Sequence, residues 1–282
     1  MKTAQRLSSG TVLIWFTLIF TAVIALFPMY WLFANAFTPI TSVPPLTPIL
    51  VPAFQLDNFQ RLLVNNKFYS NWMINSLFVG LAVTAWHIFF DTLAGYAFAK
   101  KKFPFRNLFF WLIISTLMIP IHVTFIPLYA IMRGFQEYNI QLLDTLWALI
   151  LPGTANAFGI FLMRQYIQTL PSELEDAARI DGCSELGVFR NVILPLSAPA
   201  IAALAIFTFV RSWNDFLWPV IALIKPQNYT LTVGVANMQG EFLTDWGIIF
   251  SGAALAALPM IVFFLLFQKY FLEGVRMGAL KG

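Results

Sequence analysis

Apolar residues run through this chain in long blocks, and charged residues mark only their ends. No Asp, Glu, Lys or Arg occurs between Arg6 and Asp57, and further charge-free stretches cover 68–90, 107–132, 145–163, 191–210 and 246–268. A helix needs about 20 predominantly apolar residues to cross roughly 30 Å of bilayer hydrocarbon. Trimmed at their polar and proline flanks, the blocks predict six spanning helices near 11–35, 71–98, 108–131, 144–165, 198–222 and 247–271. So many blocks of this length argue against buried helices of a soluble protein.

The connecting segments differ in kind. The first, about 36–70, carries Pro39, Pro44, Pro45, Pro48 and Pro52, so its first half is expected to be extended. Leu56, Phe59, Leu62 and Leu63 then recur at helical spacing and predict a short interfacial helix. The stretch from Arg164 to Ser197 holds five of the thirteen acidic residues: Glu173, Glu175, Asp176, Asp181 and Glu185. Ser172 precedes Glu175 by three, the spacing of a capping box, which predicts a helix over 173–181. Gly182 stands where a helix C′ glycine would. Ser184 is placed to cap a second helix, 185–193, ahead of Pro195. Leu174, Ala177, Ala178 and Asp181 share one face of the first helix. Two alanines there would let a partner backbone approach closely; the competing reading is an amphipathic linker packed on its own bundle.

Composition sharpens this picture. The 282 residues are 59% hydrophobic and only 11% charged, against about 25% charged in soluble domains. The formal charge of +4 gives no case for nucleic acid. Cys183 is the one cysteine, which excludes an internal disulfide, and with two histidines it leaves no reasonable four-ligand zinc site. No metal or cofactor is expected. The phosphate-loop pattern G-x-x-x-x-G-K-[ST] is absent, so the chain is not expected to hydrolyse ATP. With the N-terminus in the cytoplasm, twelve of the seventeen basic residues fall inside and Arg61, Lys67, Arg133 and Lys225 outside, with Arg211 inside a span. That bias predicts both termini inside.

Arg211 follows Ala198 by thirteen residues, roughly 20 Å along a helix at about 1.5 Å per residue. An arginine at such depth should face protein or water, because lipid exposure costs about 2.5–3.5 kcal/mol on insertion scales. Arg211, Asn214, Asp215 and Trp218 fall on one face of the predicted fifth span. Together they offer donors, acceptors and an aromatic plane, the combination that binds a sugar. Two readings stay open: a cavity lining, or an Arg211–Asp215 pair pinning neighbouring helices. His87 and Asp91, one turn apart, suggest a satisfied pair or a proton relay. His122 is placed to bond a carbonyl freed by Pro120. Ser251, Gly252, Ala253, Ala254, Ala256 and Ala257 make a small-residue surface suited to close helix contact.

The run Glu175-Asp176-Ala177-Ala178-Arg179-Ile180-Asp181-Gly182, followed after nine residues by Val192-Ile193-Leu194-Pro195, resembles the EAA loop of binding-protein-dependent ABC importer permeases. Asp176 stands where that motif usually has Glu, and Val192 where it has Ile. Met118-Ile119-Pro120, Ile126-Pro127-Leu128-Tyr129, Trp213-Asn214-Asp215-Phe216 and the ending Gly274 to Gly282 are similar to the carbohydrate-uptake branch, in particular its maltose-type second permease. The resemblance implies an all-α polytopic membrane protein: one permease domain over 1–282, with six transmembrane helices and a cytoplasmic two-helix coupling loop at 171–195. It further implies a second homologous permease, two cytoplasmic ATPase subunits, an external solute-binding protein and a carbohydrate substrate. The location would be the bacterial inner membrane. Glu173, Leu174, Glu175, Asp176, Ala177, Ala178, Asp181 and Gly182 would couple to the ATPase, and the tail Gly278, Ala279, Lys281 and Gly282 would enter the ATPase interface. The alternatives are a permease for another small polar solute and a proton-coupled carrier.

Overall fold

In the computed structural model of the chain, residues 9–40, 49–239 and 245–279 are described. Among them every regular element is helical. The first helices are α1 (Ser9–Ala36), α2 (Asp57–Asn65), α3 (Tyr69–Lys100), α4 (Arg106–Ser115), α5 (Phe125–Gly134), α6 (Trp147–Ile150) and α7 (Ala157–Ile167). After these come α8 (Glu173–Ile180), α9 (Glu185–Val188), α10 (Leu194–Leu196), α11 (Ala198–Trp213), α12 (Leu217–Ala222), α13 (Leu231–Ala236) and α14 (Trp246–Ala279).

The predicted first, second and sixth spans are continuous helices long and apolar enough to cross a membrane, over Gly10–Ala36, Tyr69–Lys100 and Trp246–Lys269. The third, fourth and fifth are not continuous, which corrects the expectation of six unbroken spans. In the third, Arg106–Met118 and Ile121–Tyr138 meet at 98°; the fourth is divided between α6 and α7 and the fifth between α11 and α12. A further bend of 77° lies just ahead of the fifth, between Glu185–Leu196 and Ala198–Trp213, and up to five spans result if each bent pair counts as one.

Prolines cause the breaks. A proline has no N–H to donate and its ring crowds the carbonyl four residues earlier. Before Pro120, Ile119 is extended at φ −85°, ψ 119°, as steric conflict with a following proline requires. In the fourth span α6 runs into a tight turn over Leu151–Gly153, and Asn156, extended at φ −133°, restarts the helix by accepting the Phe158 N–H at 2.8 Å. In the fifth, Pro219 cannot donate to the Asp215 carbonyl; α11 stops at Trp213 and that carbonyl accepts the Thr232 hydroxyl at 2.7 Å instead.

The chain forms two compact units. One comprises the residues up to Tyr69 together with Val235–Leu258. In it the buried Asn58 amide donates to the carbonyls of Asn35, Ala36 and Thr38 at 3.3, 3.0 and 2.7 Å, closing the C-terminus of α1. Arg61 holds the Ile40 carbonyl at 2.7 Å and pairs with Asp245. The predicted interfacial helix is α2, with Leu62 buried, Phe59 packed on Phe37 and Leu63 exposed. Ser251, Gly252 and Ala254 are buried, and the Tyr69 hydroxyl reaches the Gly252 carbonyl at 2.9 Å. The small-residue surface expected on the last span does admit close contact.

The other unit comprises Ser70–Gly234 and the residues from Pro259 on. Lipid is as apolar as a leucine side chain, so helices in it associate by close packing rather than by the hydrophobic effect. One core gathers Val79, Val83, Leu149, Ile150, Trp218 and Ala222; another gathers Tyr96, Met163, Ile167, Phe189, Ile193 and Leu204. Between α3 and α7 the glycines leave no room for a side chain: a Cβ on Gly95 would stand 2.6 Å from the Met163 Cβ, and one on Gly159 1.9 Å from Asp91 Oδ2.

Candidate functional site: a cavity at the helix breaks and an acidic elbow

The breaks in the fourth and fifth spans open on one cavity of about 750 Å³. Arg211, Asn214, Asp215 and Trp218 all line it, joined by His87, Asp91, His122 and Asn156. The predicted helical stripe is therefore not a stripe, since α11 ends between its members, yet the four residues do converge. Arg211 lies in the last turn of α11, where the carbonyl end of a helix favours a cation. Asn214 terminates that helix, its amide donating to the Val210 carbonyl at 2.8 Å. The Asp215 carboxylate adjoins the backbone N–H groups of Phe216 and Trp218 and feels Arg211 through space.

Trp218 lines the cavity with its ring but not with its N–H. Its side chain is buried, and its indole N–H is committed to the Ala148 carbonyl at 2.9 Å. It is a wall of the cavity, with no free donor for a solute. His122 likewise does not bond the carbonyl freed by Pro120: the Thr116 oxygen accepts the Ile119 N–H at 3.1 Å, and His122 packs edge-on against Phe125 while lining the cavity.

His87 and Asp91 form a satisfied pair, 2.7 Å apart and both buried. The sequence did not reveal where they sit. Asp91 Oδ1 accepts the Asn156 N–H at 3.0 Å, so this carboxylate holds the N-terminus of α7 at the break of the fourth span. A negative charge at a helix N-terminus is favourable there. Only Pro152 and Gly153 in the sequence hinted that a helix restarts at this depth.

The elbow, residues 171–195, is built largely as predicted. The helix over 173–181 is α8, and Gly182, at φ +84°, follows its cap Asp181. The Gly182 N–H reaches Arg179 O at 3.0 Å and the Cys183 N–H reaches Ala178 O at 2.9 Å, the two bonds of a Schellman ending. Ser184 caps α9 by accepting the Gly187 N–H at 3.2 Å. The second helix, expected as one over 185–193, is α9 followed by a π-helical turn, Phe189–Ile193. The capping box does not form: Ser172 is itself helical and makes no cap bond. Its hydroxyl instead accepts from Lys100 Nζ at 3.2 Å.

The predicted docking face also divides. Leu174, Ala177 and Asp181 are exposed, and Ile180 and Leu186 stand out at 86% and 70% exposure. Ala178 turns inward with Glu175. The Glu175 carboxylate, 3% exposed, meets Lys100 Nζ at 3.5 Å, the Tyr96 hydroxyl at 3.2 Å and Arg179 Nη2 at 3.2 Å. Glu173 and Asp176 stay exposed, Asp176 pairing with Arg179 at 2.8 Å. Hydrogen bonds from Lys101 and then Arg179 hold the Glu185 carboxyl below its ordinary pKa. In the tail, α14 continues through Gly278 and Ala279, eight residues beyond the predicted span, while Lys281 and Gly282 lie outside the described residues.

Comparison with known proteins agrees with this geometry. Residues 91–277 match the family described as "Binding-protein-dependent transport system inner membrane component". The chain is 36% identical over 266 residues to the arabinooligosaccharides transport system permease protein AraQ of Halalkalibacterium halodurans, covering 93% of this chain and 94% of that protein. It is 35% identical over 266 residues to the sn-glycerol-3-phosphate transport system permease protein UgpE of Salmonella typhimurium, covering 92% and 93%. The crystal structure of a bacterial ABC transporter that imports the acidic polysaccharide alginate has a chain of the same fold, with a TM-score of 0.81 at 22% identity, over 92% of this chain and 95% of that one. The chain accordingly belongs to the binding-protein-dependent ABC importer permeases, as a multi-pass subunit of the inner membrane.

Proposed function

We propose that this permease is one of two homologous membrane halves of an ATP-driven importer, and that it admits a carbohydrate delivered by an external binding protein. The whole chain acts as one permease domain of six spans, three of them broken by proline, with both termini in the cytoplasm. ATP is hydrolysed on two separate subunits, one of which seats on the exposed side of this elbow, at Leu174, Ala177, Ile180, Asp181 and Leu186, and Gly278 to Gly282 serve the ATPase interface. Rocking of the helices opens the cavity first outward and then inward.

One observation carries the substrate path: a cavity of about 750 Å³, mostly apolar but with Arg211, Asn214, Asp215, His87 and Asp91 in its lining, lies where helices break inside apolar sequence. Irregular backbone at membrane depth is tolerated only in contact with protein or water. Arg211, Asn214 and Asp215 supply donors and acceptors to it, and the buried Trp218 supplies a wall. The name of the AraQ relative supports an oligosaccharide. The UgpE relative, with Arg211 facing the cavity, supports a phosphorylated polyol as the second reading.

Proteoliposomes holding the complete complex test this. Labelled oligosaccharide is expected to enter only with both ATP and the loaded binding protein. Competition by glycerol phosphate would favour the second reading. Uptake by this chain alone under a pH gradient would replace both with a proton-coupled carrier.

A further inference from the structure

We propose that α3 carries movement of the elbow to the cavity, with Lys100 and Asp91 as the positioning residues at its two ends of contact. The inference rests on the reading that the elbow seats on an ATPase subunit and that the cavity admits solute.

Lys100 is the last residue of α3, and its side chain is only 9% exposed. The ammonium donates to the Leu170 carbonyl at 2.5 Å and the Ser172 hydroxyl at 3.2 Å, and faces Glu175 Oε1 at 3.5 Å. These partners are the approach to α8 and its first turn, so Lys100 fastens the root of the elbow to α3. One turn back, Tyr96 donates to the other Glu175 oxygen at 3.2 Å. A buried ion pair is a weak source of net stability, because desolvation offsets its attraction. What this one supplies is a fixed geometry between two elements.

Asp91 lies nine residues before Lys100 on the same unbroken helix, about 13 Å away at 1.5 Å per residue. There it binds the Asn156 N–H at 3.0 Å and His87 at 2.7 Å, and Asp91, Asn156 and His87 all face the cavity. Gly95 and Gly159 bring α7 against α3 with no side chain between them. Elements packed this densely shift as bodies rather than deform. A displacement of Glu175 therefore moves Lys100, α3, Asp91 and the start of α7 together, and the cavity wall moves with them. The test reads the cavity while perturbing the helix.

The complete complex in proteoliposomes, with Cys183→Ser and a reporter Thr208→Cys in the cavity lining, is labelled by a membrane-impermeant thiol reagent with and without ATP. The parent is expected to change its labelling rate about tenfold between the two conditions, a coupling within the usual allosteric range. Lys100→Met and Asp91→Asn should compress that ratio to below about twofold, and Lys100→Arg should restore most of it while Lys100→Met still co-purifies with the ATPase subunits. If Lys100→Met fails to assemble, Asp91→Asn and Lys100→Arg decide. Ile180→Asp on the exposed elbow face tests the underlying reading separately. If it abolishes the ratio while Lys100→Met and Asp91→Asn preserve it, the role of α3 is overturned and the docking reading stands. If it changes nothing, docking fails and the inference falls with it.

Discussion

The Trp218 indole N–H donates at 2.9 Å to the carbonyl of Ala148, the oxygen that Pro152 cannot serve from four residues downstream. A defect written into the fourth span is thus repaired by a side chain of the fifth. Buried carbonyls without donors are costly, and in this position the repair also ties the two broken spans that border the cavity.

Trp218→Phe keeps an aromatic ring but removes the donor, and leaves a gap where the second ring of the indole stood. The expected loss is about 1–3 kcal/mol, read as a lower unfolding temperature of the detergent-purified subunit. Solute affinity should change little, because the indole N–H faces Ala148 and not the cavity space. A specific fall in affinity with unaltered stability would contradict this assignment.

Asn214→Ala should act in the opposite sense. The side chain bonds only its own helix, to Val210, and it faces the cavity. Its removal is expected to raise the half-saturating solute concentration several-fold, on the order of 1 kcal/mol for one lost hydrogen bond, with complex yield retained. Unchanged uptake kinetics would remove Asn214 from the path.

Gly182 occupies φ +84°, and a Cβ built there meets nothing within 4 Å. Any penalty for Gly182→Ala is therefore backbone strain alone, about 1–2 kcal/mol. Gly182→Asn should cost less, since Asn tolerates left-handed backbone better. Proteolysis or hydrogen exchange confined to the elbow would rank the three proteins, and equal protection in all would show that the turn does not depend on glycine.

Gly95→Ala meets the Met163 Cβ at 2.6 Å and the Arg164 backbone nitrogen at 2.9 Å. Neither is the end of a flexible side chain, so α3 and α7 must separate. Overpacking of this kind costs about 1–3 kcal/mol, and the unfolding temperature should fall accordingly. Gly134→Ala, with open space around it, is the matched control.

Acid should loosen the elbow through Glu185. Its ordinary pKa is 4.5, and hydrogen bonds from Lys101 and Arg179 lower it in the folded chain. A lowered acid contributes its stabilisation fully above the ordinary value and loses it as pH falls through the depressed one. The Cys183 labelling rate should therefore be flat from neutral pH to about 4.5 and rise below it, after correction for thiol ionisation. Glu185→Gln should label faster throughout, with no such step. An identical step in that variant would assign the transition to another group.

Much of the fold is legible in the chain without coordinates. Charge-free blocks of membrane length need no partner to declare themselves, because lipid imposes one rule on every residue that enters it. That rule located α1 and α3 nearly to their ends and the start of α14, which runs eight residues past its predicted limit. The elbow is equally local: Gly182 and Ser184 satisfy helix termini within a few residues, and the acidic run around them is readable as it stands.

The misreadings share a physical cause. Ser172 has the right spacing for a cap, but Lys100, seventy-two positions earlier in the chain, claims its hydroxyl. Periodicity placed Arg211, Asn214, Asp215 and Trp218 on one continuous face; Pro219 and Thr232 together ended that helix and let the four meet around a cavity instead. His87 and Asp91 look self-contained one turn apart, and only the arrival of Asn156 makes them part of a wall. Composition and spacing determine which segments enter the membrane and which turn back. Which freed carbonyl finds which distant donor is decided only by tertiary packing, because a broken helix must be repaired by whatever the fold brings within 3 Å or so of the gap.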